Sequence, residues 1–229
     1  MSIAERYAQL RAAVPAHVTI LAVSKFHPVE AVRQAVAAGV TDIGENYVQE
    51  AQRKFGHGEL ARGELVEPRK HFIGHVQTNK AKAIASTFDV VQSVDRADAA
   101  SALAKAAASL GKRLPVLLQL NISPSERFGC PPADAAALAQ LIRSHESLEL
   151  QGVMAIGPIA GDESEILGAF QQAAQTFERI GGTTLSLGMS GDWRLAVQAG
   201  STMIRVGSTI FGPRPARPAS KNTAIHPSC

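Results

Sequence analysis

The chain has 229 residues, of which 45% are hydrophobic and 19% charged, as in a globular domain or a single barrel. The formal net charge of +3 comes from 23 basic and 20 acidic residues. Residues 213–229 contain Arg214, Arg217 and Lys221 and no acid, so residues 1–212 carry 20 of each sign. The surplus thus lies in a Pro-rich tail that we expect to be disordered, which argues against a nucleic-acid-binding face.

Short apolar runs alternate with Ala-rich helical patterns along the chain. The runs predict eight strands, at residues 18–24, 42–44, 71–76, 89–94, 116–122, 151–156, 184–189 and 202–206. The helical patterns lie at 3–13, 28–38, 47–55, 79–86, 97–110, 132–145, 163–180 and 192–199. Pro28 and Asp192 suit helix starts, with Asp192 a candidate N-cap. The polar stretch 56–70 predicts a surface loop.

This alternation predicts parallel strands joined by crossover helices. Eight repeats in a chain of this length predict an α/β fold, a single-domain (β/α)8 TIM barrel over residues 1–212 with 213–229 as a tail. An open doubly wound sheet is the alternative, weakened because no GxGxxG follows the first strand. No long helix follows the last strand, and we expect the N-terminal helix to cover that position.

Two cysteines, Cys130 and Cys229, are too few for a disulfide framework, so we expect a cytoplasmic setting. No apolar run reaches the length of a membrane span, and the N-terminus lacks the apolar core of a signal peptide. His71 and His75 are four residues apart, but on a strand that spacing separates them by about 13 Å, so we expect no metal site. The sequence therefore predicts neither a membrane partner nor a metal.

Catalytic and binding groups of a barrel collect at the carboxyl ends of its strands. Lys25 follows the first strand, where partial desolvation would suit it to attack a carbonyl and form a Schiff base; the alternative is a solvated lysine. Asn46 follows the second strand, and either a ligand contact or an N-cap for the next helix would explain it equally well.

The ends of the seventh and eighth strands predict a phosphate site. Small residues before a helix, Ser190 in one turn and Gly207 and Ser208 in the other, expose N–H groups and hydroxyls to an anion. Arg205 lies in an apolar strand and needs a partner, either an ion pair or a ligand ring nitrogen or oxygen. A Schiff-base lysine, a phosphate site and such an arginine together suit pyridoxal 5′-phosphate (PLP).

Seven motifs follow one another along the chain: LAVSK, GENYVQE, HFIGHVQTNK, QLNIS, GVMAI, LSLGMSGD and GSTMIRVGSTIFG. In this order, over residues 2–213, they resemble the pyridoxal phosphate homeostasis proteins, single-domain relatives of the alanine racemase N-terminal barrel. The resemblance implies PLP on Lys25 as a Schiff base. It implies phosphate contacts from Ser190, Gly207 and Ser208 with Met189 beside them, Arg205 at the pyridine nitrogen and Asn46 near the ring.

The chain departs from the family pattern at several positions. Phe26 and His27 stand where Thr-Lys is frequent, and Arg127 replaces a usual lysine, which keeps the charge but loses an amine. Gly191 and Arg194 replace residues that are often acidic, beside the expected phosphate loop. None of these changes removes an expected cofactor contact.

The resemblance implies a protein that holds and supplies PLP in vitamin B6 balance, with PLP-dependent apo-enzymes as recipients and no robust catalysis. The alternatives are a weak PLP-dependent racemase or lyase, and a cofactor-free aldol reaction on Lys25. Racemases of this group use a tyrosine from a second, β-rich domain. We expect no such domain here, and Tyr7 and Tyr47 offer no substitute.

Overall fold

The computed structural model describes residues 1–56, 67–123, 128–158 and 161–213. Its strands are β1 Thr19–Val23, β2 Asp42–Glu45, β3 Arg69–Phe72, β4 Val90–Val94, β5 Leu114–Asn121, β6 Leu148–Ile156, β7 Thr184–Ser186 and β8 Met203–Val206. Its helices are α1 Ile3–Ala13, α2 Val29–Ala37, α3 Val48–Phe55, α4 Ala81–Thr87, α5 Ala97–Ser109, α6 Ala135–Ser144, α7 Glu163–Ile180, α8 Trp193–Gln198 and α9 Ser208–Phe211.

The eight strands form a closed barrel in chain order, and every pair of neighbours is parallel. Closure occurs where β1 pairs with β8, with Leu21 opposite Arg205. The helices pack their apolar faces against the outside of the barrel, in a core dominated by alanine, leucine, isoleucine and valine. The predicted (β/α)8 barrel is confirmed, and the doubly wound alternative is wrong.

The N-terminal helix occupies the place of an eighth outer helix, as predicted. A capping box of Ser2 and Glu5 begins α1, and Ile3 and Leu10 pack in one cluster with Ile210 and Phe211. The Nε of Arg6 also donates a hydrogen bond to the carbonyl of Ile210 at 2.6 Å. Helix α1 therefore covers the barrel beside β8 and the short α9.

Two strands end three or four residues earlier than the sequence predicts. The strand expected at 71–76 spans Arg69–Phe72, because the chain turns away at Gly74, where an added Cβ would lie 2.0 Å from the carbonyl oxygen of Asn46. The strand expected at 184–189 ends at Ser186, since Gly188 adopts a φ of 84° and starts a turn. In both cases residues predicted as strand form the loops at the barrel mouth.

The expected loop 56–70 lies largely outside the described residues, which omit 57–66. The expected tail 213–229 also lies outside them, apart from Pro213. Within the described ranges, no helix combines the length and apolarity needed to cross a bilayer. The same ranges contain no cluster of three or more His, Cys, Asp or Glu side chains suited to a metal ion.

Candidate functional site

A cavity of about 320 Å³ opens at the carboxyl end of the barrel, within the size range of small-molecule sites. The seven residues predicted to contact a cofactor all line it: Lys25, Asn46, Met189, Ser190, Arg205, Gly207 and Ser208. The structure therefore brings together groups that the chain separates by up to 183 positions.

Lys25 lies in the turn that follows β1, between the buried Ser24 and the exposed Phe26. Phe26 has a φ of 69°, in the left-handed region that residues other than glycine seldom adopt. This turn carries the Lys25 side chain to the cavity wall, where the sequence predicts it.

Asn46 follows β2, and it does not cap the next helix. Tyr47 occupies the N-cap position of α3, without a side-chain hydrogen bond. The Oδ1 atom of Asn46 is buried and, within the described residues, has no hydrogen-bond partner. Of the two explanations open from the sequence, this geometry favours a ligand contact, because an unpaired buried polar atom is unfavourable until something pairs with it.

Two hydroxyls meet on the side of the cavity formed by the β7 and β8 turns. The Oγ atoms of Ser208 and Ser190 lie 3.3 Å apart, and Ser208 begins α9. The first N–H groups of a helix have no acceptor within it, so backbone donors lie at the start of α9 next to the Ser208 hydroxyl. Met189 lies beside them with 40% of its surface exposed.

Asp192 orders this turn instead of capping α8 with its side chain. It occupies the N-cap position as predicted, but its Oδ1 accepts a hydrogen bond from the backbone N–H of Met189 at 2.5 Å. Arg194, one of the departures from the family pattern, places its guanidinium 4.4 Å from the ring centroid of Trp193.

Arg205 is buried, and the partner it needs is supplied by carbonyl oxygens and a hydroxyl. Its Nη1 donates to the carbonyl oxygen and the Oγ of Ser186, and its Nη2 donates to the carbonyl of Ala155 at 2.8 Å. Burial lowers the pKa of Arg205 to about 10, although nearby Asp192 opposes the shift. Within the described residues no carboxylate forms an ion pair with it, and two of its five N–H groups remain for a ligand.

A chain of polar side chains runs from Arg205 through the barrel interior, and sequence reasoning missed it. Ser186 donates to Gln92 at 2.8 Å, Gln92 contacts Nδ1 of His71 at 2.9 Å, and Nε2 of His71 contacts Asp42 at 2.9 Å. Each residue of this chain donates to the next one along it, away from Arg205. This order places a cation at the donor end and the carboxylate of Asp42 at the acceptor end. His71 is therefore an interior hydrogen-bonding residue.

Sequence reasoning also missed part of the cavity wall. His27, two residues after Lys25, lines the cavity and stacks on Phe211 with ring centroids 5.0 Å apart. The other lining residues that were missed are Val23, Ile73, Met154 and Ile156, while Gly191 lies in the expected phosphate turn. The position of His27 two residues after Lys25 was the feature of the sequence that could have identified it as a lining residue. Arg127 lies outside the described residues.

The donors of this cavity suit a phosphorylated ring compound. Lys25 and Arg205 contribute basic groups, Ser190 and Ser208 contribute hydroxyls, and the described lining residues include no aspartate or glutamate. Asn46 also lines the cavity, and its Oδ1 has no hydrogen-bond partner among the described residues. A phosphate would thus meet hydroxyl and basic donors along the described lining, with Asp192 close by in the turn that carries Met189.

Comparison with known proteins identifies relatives along nearly the whole chain. The family model described as the alanine racemase N-terminal domain matches residues 1–215. A pyridoxal phosphate homeostasis protein of Vibrio alginolyticus is 41% identical over 207 residues, covering 87% of this chain and 88% of its own. One from Pseudomonas aeruginosa is 41% identical over 203 residues, covering 87% and 86%.

Among solved structures, PipY of Synechococcus elongatus, described with PLP bound, superposes with a TM-score of 0.85 at 38% identity. The match covers 92% of this chain and 100% of PipY. With these identities and coverages, and with the motif residues gathered around one cavity, the chain belongs to the pyridoxal phosphate homeostasis proteins, within the alanine racemase N-terminal domain family.

Proposed function

We propose that this protein binds pyridoxal 5′-phosphate at the barrel mouth and holds it for intracellular vitamin B6 homeostasis. One observation carries the proposal: the seven residues that the sequence assigns to the cofactor line a single cavity that is rich in donors. The PLP-bound state of PipY supports the same ligand for this chain.

In this proposal each group has one role. Lys25 holds the cofactor as a Schiff base, in which its amine joins the cofactor's aldehyde carbon and one water leaves. Ser190, Ser208 and the backbone at Gly207 bind the phosphate. Met189 lies beside the phosphate and Asn46 beside the ring. The cofactor supplies an electron-accepting ring when it is bound.

Arg205 faces the pyridine nitrogen and sets the limit on turnover. An arginine stays charged and donates a hydrogen bond, so it does not favour protonation of the ring nitrogen as a carboxylate would. The described lining residues include no tyrosine, aspartate or glutamate that could act as a second acid or base. We therefore propose supply of PLP to PLP-dependent apo-enzymes without robust catalysis.

The proposal assigns the function to residues 1–212 in a cytoplasmic setting. A chain ending at Gly212 should keep the spectrum of the complete protein, because the lining residues all precede that position. Loss of the spectrum on this truncation would give residues 213–229 a part in cofactor binding.

Absorbance spectroscopy tests the proposal. The purified protein, supplied with PLP, should be yellow, and borohydride should bleach the colour and fix the cofactor covalently. Lys25→Ala should abolish covalent fixation, while Lys105→Ala, an exposed lysine on α5, should not. A colourless protein that takes up no PLP would refute the proposal and favour the cofactor-free aldol alternative. Covalent fixation in Lys25→Ala would reject Lys25 as the attachment point.

A weak PLP-dependent racemase or lyase is the second candidate, favoured by one observation. His27 lines the cavity beside Lys25 and offers a second titratable group. Exchange of the α-proton of added amino acids with deuterated solvent separates the two functions. Fast exchange that disappears in Lys25→Ala would favour the enzyme, and its absence would favour the binding protein.

A further inference from the structure

Three charged side chains lie behind Lys25, outside the cavity wall. They are Glu45, Glu50 and Lys54, here called the charge cluster. The Nζ of Lys54 lies 2.6 Å from Oε1 of Glu45 and 2.7 Å from Oε1 of Glu50. Glu45 and Lys54 are buried, and Glu50 exposes 13% of its side chain.

The charge cluster holds the peptide groups on both sides of Lys25. The carbonyl of Ser24, in the peptide before Lys25, accepts a hydrogen bond from Nζ of Lys54 at 2.7 Å. The N–H of Phe26, in the peptide after it, donates to Oε1 of Glu50 at 2.5 Å. The φ and ψ angles of Lys25 are rotations relative to these two peptide planes, so tying both planes to one cluster fixes both angles.

A third contact and the backbone strain reinforce this arrangement. The hydroxyl of Ser24 donates to Oε1 of Glu45 at 2.6 Å, so Ser24 is held at two points. Phe26 has a φ of 69°, a left-handed conformation that is unfavourable for a residue other than glycine and persists only where the surroundings impose it. The hydrogen bond to Glu50 is one such restraint.

Stability alone is a weak explanation for the charge cluster. Burying ions is costly, and well-packed apolar residues often replace a buried ion pair without loss. Burial also raises the pKa of Glu45, although the charge of Lys54 opposes the shift, and Oε2 of Glu45 has no hydrogen-bond partner among the described residues. The cluster's structural effect is to restrain the backbone on both sides of Lys25.

We propose that Glu50 and Lys54 are positioning residues for Lys25, which fix its backbone so that its amine meets an aldehyde held in the cavity. This inference rests on the proposed function. The amine adds to the aldehyde carbon, a C=N bond forms, and the aldehyde oxygen leaves as water, so the step needs no oxidant or reductant. Neither positioning residue contacts the ligand.

Stopped-flow absorbance on the complete, cofactor-free chain tests the inference. Glu50→Ala removes the acceptor for the Phe26 N–H and should slow covalent attachment of PLP by about 10- to 100-fold, the effect of misplacing a reacting group. Glu50→Gln keeps an oxygen in that place and should restore the rate to within about threefold of the original chain. Glu30→Ala, which removes an exposed glutamate from α2, is the matched control and should react normally.

The second measurement is the affinity for pyridoxamine 5′-phosphate, which has the same ring and phosphate but no aldehyde. It should stay within about twofold in Glu50→Ala, because the phosphate and ring contacts do not involve Glu50. Unchanged attachment in Glu50→Ala, a parallel loss of pyridoxamine phosphate affinity, or no rescue by Glu50→Gln would each overturn the inference. If the original chain takes up no PLP, the proposed function fails as well.

Discussion

Arg205 and Ser186 are joined twice: Nη1 of the guanidinium donates to the carbonyl oxygen of Ser186 at 2.6 Å and to its hydroxyl at 2.8 Å. The same hydroxyl donates to Oε1 of Gln92. Ser186 therefore connects the cation at the barrel mouth to the polar chain that ends at Asp42. A buried arginine needs such partners, because leaving its donors unpaired would be costly.

We expect Ser186→Ala to destabilise the fold by about 2–3 kcal/mol, since it removes one hydrogen bond to a charged group and leaves Gln92 without a donor. Urea unfolding measures this loss. Ser93→Ala is the matched control, because the buried Ser93 hydroxyl has no hydrogen-bond partner among the described residues, and we expect little or no loss there. Equal effects of the two substitutions would contradict a structural role for the Ser186 hydroxyl.

The paired hydroxyls of Ser190 and Ser208 predict a modest loss of affinity on substitution. Each change to alanine should weaken binding of pyridoxamine 5′-phosphate by about fivefold, or about 1 kcal/mol. Because the hydroxyls lie 3.3 Å apart, the double substitution should not be additive. Ser144→Ala, at the exposed end of α6, should leave affinity unchanged. Unchanged affinity in both cavity variants would place the phosphate elsewhere.

Gly188, in the turn beside the cavity, has little room for a side chain. Its φ is 84°, and an added Cβ would lie 2.5 Å from the Cβ of Ala196 and 2.9 Å from the Cα of Trp193. Gly188→Ala should destabilise the protein by more than about 2 kcal/mol, as measured by denaturant unfolding. Gly168→Ala, within α7 and with no atom within 4 Å of the new Cβ, should stabilise it by about 0.5–1 kcal/mol. A tolerated Gly188→Ala would mean that the turn can relax.

His71 should make the free energy of unfolding depend on pH in the acid range. Burial lowers the pKa of His71, and its hydrogen bond to Asp42 offsets only part of this shift. Below the ordinary pKa of 6.5 the unfolded chain therefore binds a proton that folded His71 does not, so stability falls as pH falls from about 6.5. At lower pH Asp42 adds to the loss: burial raises its pKa, but hydrogen bonds from His71 and Thr41 outweigh this and lower it below 3.8.

Unfolding free energies between pH 5 and 8 check the His71 prediction. In the original chain, uptake of one proton by His71 on unfolding gives the unfolding free energy a slope of up to about 1.4 kcal/mol per pH unit. The His71→Gln variant should lack this part of the slope. His17→Gln, in the exposed loop before β1, is the control for removing a histidine without touching the barrel interior. A slope that is unchanged in His71→Gln would assign the acid sensitivity to other groups.

Much of the fold and of the cavity could be predicted from the sequence. Alternating apolar runs and helical patterns are local signals, and the predicted helices 3–13 and 163–180 coincide with α1 and α7. The carboxyl ends of the strands of a parallel barrel share one face, so the sequence could place four residues at the cavity: Lys25, Asn46, Ser190 and Ser208. The strand ends at Phe72 and Ser186 could not be placed, because long-range contacts at Gly74 and the turn at Gly188 stop the pairing.

The sequence by itself determined the barrel, the order of its elements and the residues around its mouth, because apolar periodicity and strand ends can be recognised from residues that are neighbours in the chain. Only the tertiary structure decided what lies behind those residues. The chain from Arg205 to Asp42 joins five strands across the barrel interior, and its contacts depend on how the strands are staggered. The hold of Glu50 and Lys54 on the peptides beside Lys25 likewise depends on how α3 packs against the β1 turn, which no local pattern encodes.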